Sequence, residues 1–389
     1  MIYIIVIAYI IEMKVIKNLF LILVSTFFSL LIVEIILRTF TDFPKFPDSS
    51  LMAQDSNFGF KMNNYLTDID SRGFRNIEGR YGNYQIAIIG DSHTYGYGVT
   101  KEDTWPYQFE KSVNLPVYNY GNSGNGIYSY HYLAKDALAK NKKIILGLYL
   151  PNDFTYKDYV CLINFNNSFW KKEVDRLKLN PPQRCDDLKN ISTKGDFIRL
   201  VIMKFAVISI TYELIWKPFK KIQKKDKKYI KFHKNFEPLE IELLEGFMRL
   251  TDLNNPKISL VFSDFKKIIK DLDQSSDKGS IGVIIIPSPI IVYLNVLDKL
   301  DIKPNDKPSF LFYSQNEILL EKKVLNFLEE QKIPALSVNK YLLEEYIKNL
   351  SLERREKFYI DGSHPNGAGH RAYAETAKEI YLKMKQISN

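Results

Sequence analysis

The triplet Gly90-Asp91-Ser92 follows a run of apolar, β-prone residues, and two further glycines, Gly96 and Gly98, come soon after it. A serine hydroxyl is a poor nucleophile unless a nearby imidazole takes its proton. The imidazole in turn needs a carboxylate to fix its tautomer and to stabilise the imidazolium that forms. Far along the chain, Asp361 and His364 stand three positions apart in "YIDGSHPNGAGH", a spacing that lets carboxylate and ring meet within one turn. Acyl chemistry also requires preplaced donors for the oxyanion of a tetrahedral intermediate. The Ser92 amide, the Gly124 amide in "NYGNSGNG" and the Asn152 side chain in "LPNDF" are the candidates. This set suffices for nucleophilic attack on an acyl carbon, with no metal and no cofactor.

Each residue alone has a plainer reading. Ser92 suits a helix N-cap, Gly124 a turn, and Asn152 a turn or cap. Asp361 and His364 suit a loop pair that holds a helix terminus. Their placement favours the joint reading. Strand-like runs at 85–89, 117–120, 143–150, 281–287 and 335–338 alternate with helix-like stretches at 105–113, 128–140, 256–271, 314–331, 340–350 and about 368–385. That alternation predicts βαβ units, a parallel sheet and helices on both faces. In such a sheet, ligands sit beyond the carboxyl ends of the strands, where Ser92, Gly124 and Asn152 fall. Two other glycine-linked chemistries do not fit. The Gly-x-Ser-x-Gly elbow needs a glycine where Thr94 stands, and neither glycine cluster has the spacing of a nucleotide loop.

Gly90-Asp91-Ser92, "NYGNSG", "PND" and "DGSH" resemble the four sequence blocks of the SGNH (GDSL) hydrolase family, in that family's order. The resemblance covers 84–154 and 355–385. It implies a three-layer α/β/α, flavodoxin-like fold, no metal, and an esterase, lipase, carbohydrate deacetylase or acyltransferase activity. Carried over, Ser92 is the nucleophile, His364 the general base and Asp361 the residue that orients it. Gly124 and Asn152 complete the oxyanion hole with the Ser92 amide. The chain departs from the family's Gly-x-Asn-Asp block at Leu150, which predicts an altered pocket wall with the chemistry retained. His93 follows the serine, so its side chain is expected to point away from that of Ser92. His370 is expected to be a surface or packing residue.

The rest of the chain bounds where this chemistry operates. Residues 18–37 form a near-continuous apolar run with one charge, Glu34. Twenty helical residues span about 30 Å, the thickness of a bilayer core. Lys14 and Lys17 precede the run, placing the N-terminus in the cytoplasm and the remainder outside. No small-x-small cleavage site follows, so a retained anchor is expected. Met13, followed by a lysine, makes a more ordinary start than Met1. The expected organisation is a tail and transmembrane anchor at 1–41, a leader at 42–83 and the α/β domain at 84–389, with an insertion at about 155–280. A second span at 197–216 is argued against by Arg199, Lys204 and Glu213. It would also put Ser92 and His364 on opposite sides of the membrane.

The net charge of +9 is concentrated in nine lysines at 217–234, which read as a solvated face or as a contact with an anionic surface. No zinc-finger spacing or RNP-like aromatic motif points to nucleic acid. Cys161 and Cys185 are compatible with a disulfide in an exported domain or with buried thiols. The expected activity is hydrolysis of O-acetyl or short-chain acyl esters on a glycan or lipid. Acyl transfer to a surface polysaccharide and a non-catalytic binding role are the alternatives.

Overall fold

The apolar runs become five parallel strands in a computed structural model of the chain: β1 (Ile86–Gly90), β2 (Val117–Asn119), β3 (Lys143–Tyr149), β4 (Ile281–Ile286) and β5 (Ala335–Ser337). The structure describes residues 2–40, 52–55, 59–62, 68–140, 142–154, 168–180, 229–230, 239–240, 251–299, 308–350, 358–360 and 362–388. Cys161, Cys185, Asp361, the stretch 197–216 and all of the lysine run except 229–230 lie outside the described residues. The strands pair in the order β2-β1-β3-β4-β5, the flavodoxin-like order, which reverses direction between β1 and β3.

Around the sheet lie α2 (Trp105–Val113), α3 (Ile127–Leu138), α4 (Ser168–Leu177), α5 (Pro256–Gln274), α6 (Pro289–Lys299), α7 (Pro308–Glu330), α8 (Asn339–Leu350) and α9 (Gly367–Ser388); α1 (Ile2–Phe40) precedes them. Alternate strand residues point to opposite faces, and this divides the core in two. Ala87, Ile89, Leu146, Leu148, Val283 and Ile285 pack with α3, α5 and α7. Ile86, Ile88, Ile145, Tyr149, Ile284 and Ile286 pack with α2, α6, α8 and α9. The result is the expected three-layer α/β/α arrangement. Burial on both faces explains why β1, β3 and β4 read as near-continuous apolar runs.

Local chemistry starts the helices where the pattern predicts. Pro256 opens α5, and the Asn255 side chain accepts the Lys257 amide at 3.0 Å. Asn366 Oδ1 accepts the amides of Ala368 and Gly369 at 2.9 and 3.4 Å and so caps α9. Helix α6 was not expected. Its residues Ile290, Ile291, Val292, Tyr293 and Val296 are all buried, and a short apolar run of this kind reads equally as strand or as helix.

Residues 68–83 pack into the same domain. Phe74 joins the first core face, and Asp70 accepts the Tyr118 hydroxyl at 2.6 Å. Asn76 exchanges two hydrogen bonds with the backbone of Asn119, at 2.8 and 3.1 Å, and so covers part of the edge of β2. Separately, α1 carries a 25-residue stretch, Met13–Leu37, with an 18-residue window of mean hydropathy 2.7. That is long and apolar enough to cross a membrane, a property it shares with secretion signals. By its contacts the chain divides into one unit of residues 1–51 with 189–226 and a second of 52–188 with 227–389, which holds the sheet.

One buried acid links β4 to α7. Glu317 accepts both the amide and the hydroxyl of Ser288, each at 2.6 Å. Burial pushes its pKa up from 4.5 to about 7; the Ser288 bonds oppose the rise and Glu321 adds to it. The folded state therefore holds a proton that the unfolded chain gives up above pH 4.5, so stability is lost as pH rises through 7. Relative to Glu317→Gln, wild-type stability in urea should fall by on the order of 3 kcal/mol between pH 5 and pH 8. Parallel curves for the two proteins would show that Glu317 does not titrate in that window.

Candidate active site

β1 ends at Gly90 and the chain enters a single helical turn, Ser92–Tyr95. A side chain at Gly90 has no room, because a Cβ there would fall 2.0 Å from Thr94 Oγ1 and 3.0 Å from the Gly147 carbonyl of β3. The turn is capped by Asp91, whose Oδ1 accepts the His93 amide at 2.9 Å. Ser92 is therefore not the capping residue, and its hydroxyl has a different partner. The Oγ atom lies 2.7 Å from Nε2 of His364, across 272 positions of sequence.

The second oxygen of Asp91 accepts the Asn152 side-chain amide at 3.0 Å. Asn152 sits in the turn Leu150–Asp153 at the end of β3. That turn is braced by Asp153, which accepts the Tyr149 amide at 2.8 Å and the Tyr130 hydroxyl at 2.9 Å. Asp91 is completely buried; burial raises its pKa, and the bonds from Asn152 and the His93 amide oppose that rise. Gly124 lies in the loop after β2 with φ of 80°, a region that favours glycine. The start of that loop is tied to β1, with the Tyr120 amide on the Ile88 carbonyl at 2.7 Å and the Asn122 amide on that of Gly90 at 3.2 Å.

His364 arrives on a short loop closed by two backbone bonds. The Ile360 amide donates to the His364 carbonyl at 2.8 Å, and the Asn366 amide to that of Phe358 at 2.7 Å. Capping by Asn366 then starts α9, so the helix packed on the sheet sets where the imidazole stands. Its Nδ1 is 3.1 Å from Ser363 Oγ. Two rings lean on it: Tyr97, with centroids 4.5 Å apart, and His93, at 4.8 Å.

His93 is thus closer to the chemistry than its position after Ser92 suggested. It is buried, stacks on Tyr149 at 3.9 Å, and has Nδ1 3.3 Å from the Tyr373 hydroxyl. His370 is a packing residue, wholly buried on α9. Burial holds its pKa down to about 3, and the charges of His364 and Arg75 act in the same direction.

Of the residues singled out from sequence, the fold brings Ser92 and His364 into direct contact. It joins Asn152 to the residue beside the serine, and it carries Gly124 on a loop anchored to β1. Asp361 lies outside the described residues. The importance of Asp91 was missed, although an acid between a strand's last glycine and a candidate nucleophile was a usable signal. Elsewhere, ligand atoms of His131, Glu173 and Asp271 lie within 4.8 Å of one another. Lys135 and Arg176 already contact Asp271, each at 2.7 Å, and Arg176 also pairs with Glu173. The group reads as an ion-pair network joining α3, α4 and α5, with its negative charge already compensated.

No family model matches the sequence, and no curated protein does. Solved structures are similar to it, among them two lipolytic proteins. One is assigned to the G-D-S-L lipolytic family, from Desulfitobacterium hafniense DCB-2; it is 13% identical with a TM-score of 0.33, and the match covers 77% of this chain and 99% of that one. The other is phospholipase A1 from Streptomyces albidoflavus NA297, 10% identical with a TM-score of 0.36, covering 76% of this chain and 99% of that one.

Asp91→Ala removes the cap of the serine turn and the anchor of Asn152 together. It should lower stability by about 1–3 kcal/mol in urea titration. An unchanged midpoint would show that this carboxylate does not hold the two turns.

Proposed function

We propose that the chain is a serine esterase, anchored in a membrane through α1, that cleaves acyl esters of a glycan or lipid outside the cytoplasm. The observation that carries this reading is the 2.7 Å contact between Ser92 Oγ and His364 Nε2. An imidazole nitrogen at that distance can accept the hydroxyl proton as the oxygen attacks. His364 then returns the proton to the departing alcohol, leaving an acyl group on Ser92. Water attacks that ester with the same imidazole as base, and the free acid leaves.

Asp361, three residues before His364, is assigned to Nδ1, where a carboxylate favours the imidazolium. The oxyanion is assigned to the Ser92 amide, the Gly124 amide and the Asn152 side chain. Asp91 supports the last assignment, since it accepts one hydrogen of Asn152 Nδ2 and fixes the direction of the other. Lys14 and Lys17, just before the apolar run at 18–37, support the proposed topology.

A fluorophosphonate probe reacts with an activated serine, so the wild-type chain should be labelled and Ser92→Ala should not. His364→Ala should be labelled at least about 100-fold more slowly. Asn152→Ala leaves one buried oxygen of Asp91 without its donor, so it should lose about 1–3 kcal/mol of stability in urea and about 10²–10³ in turnover of a short-chain nitrophenyl ester. Undiminished labelling of Ser92→Ala would remove Ser92 from the mechanism and the esterase reading with it.

A further inference from the structure

The loop that leaves the nucleophile turn is held by an arginine from far upstream in sequence. Arg75 Nη1 donates to the Gly96 carbonyl at 2.7 Å and to that of Tyr95 at 3.4 Å. Its Nη2 donates to the Val99 carbonyl at 3.0 Å, and Nε donates to Asp68 at 2.6 Å. The guanidinium also lies 5.1 Å from the centre of the Tyr95 ring. A planar fork bonded to three carbonyls fixes the path of a short loop in a way that a flexible ammonium cannot. Within that path stands Tyr97, half-buried. Its ring centre is 4.5 Å from that of His364, with the planes inclined by 39°.

An aromatic face does little for a neutral imidazole, but its negative quadrupole attracts an imidazolium. On the esterase reading, His364 is neutral before Ser92 attacks and cationic once it has taken the proton. The contact with Tyr97 therefore strengthens towards the transition state, which is the kind of interaction that raises turnover more than substrate affinity. Among the described residues, the other ionisable groups that act on His364 or its surroundings are His93, His370, Asp91 and the fixed cation Arg75, with Asp361 as its assigned partner. None of them lies on the 96–99 loop. Desolvation in the apolar interior keeps His370 uncharged at neutral pH, so it contributes no competing cation.

We propose that Tyr97, set in place by Arg75, is a positioning residue for His364 that favours the protonated imidazole. This rests on the assignment of Ser92 and His364 as nucleophile and base. Removing the ring makes the imidazolium less favourable, so His364 should titrate at lower pH in its absence.

The test uses the full chain in detergent micelles, with histidine labelled at Cε1. The sequence has five histidines, and the His364 resonance is assigned by its loss in His364→Gln. In Tyr97→Leu the titration midpoint of His364 should fall by about half to one pH unit. Turnover of nitrophenyl acetate should fall about 3- to 10-fold with KM nearly unchanged, and the acid limb of the rate profile should move down with the midpoint. Tyr97→Phe, which keeps the π face, should recover the midpoint and most of the turnover. Arg75→Lys should shift the midpoint in the same direction as Tyr97→Leu, by less.

An unmoved midpoint in Tyr97→Leu overturns the proposal even if the enzyme is active. If that variant does not fold, an unmoved midpoint in Arg75→Lys overturns it instead. A wild-type chain that neither hydrolyses the ester nor takes the fluorophosphonate probe overturns the esterase reading. The titration is read without turnover, so the two failures are told apart.

Discussion

A buried carboxylate is costly unless its oxygens are hydrogen-bonded, and Asp91 meets that requirement by joining two strand ends. One oxygen takes the His93 amide and so caps the turn after β1; the other takes the side chain of Asn152 after β3. Both bonds must form together, because a missing one would leave an acceptor buried in an apolar interior. The same arrangement frees Ser92 from capping, which is what lets its hydroxyl meet His364. The serine's availability is thus a consequence of how its neighbour is satisfied.

Sheet topology supplies the setting for that carboxylate. All five strands are parallel, so their carboxyl ends lie along one edge, and the order reverses between β1 and β3. Those are the two strands whose exits Asp91 joins. The β2 exit is drawn to the same place by backbone bonds to Ile88 and Gly90. His364 comes from the other end of the domain, delivered by a loop whose two backbone bonds and helix cap leave it little freedom. A contact across 272 positions is then upheld by the packing of α9 on the second face of the sheet.

Burial also shifts the titration of groups near this edge. Desolvation raises the pKa values of Asp91 and Glu317 and lowers that of His370, in each case favouring the neutral form. By contrast, Arg75 reaches the loop after Ser92 with Asp68 as its counter-ion. The segment 68–76 is in this sense part of the site's framework. It secures the β2 edge through Asn76 and the loop after Ser92 through Arg75.

Much of the fold could be read from the chain because local chemistry and burial agree. Strands β1, β3 and β4 are apolar, isoleucine-bearing runs covered on both faces, and Asn and Pro mark the starts of α5 and α9. Helix α6 escaped because a short apolar run reads equally as strand or as helix. In the site, the types and order of Ser92, Gly124, Asn152, Asp361 and His364 were enough to name a chemistry, since few residue sets can activate a hydroxyl. Sequence alone did not reveal that Asp91 would cap the turn, that His93 would lean on His364, or that Arg75 would hold the loop of Tyr97. Residue type limits what a side chain can do chemically. Which partner it meets depends on distances between elements far apart in the chain, and those distances exist only once the layers have packed.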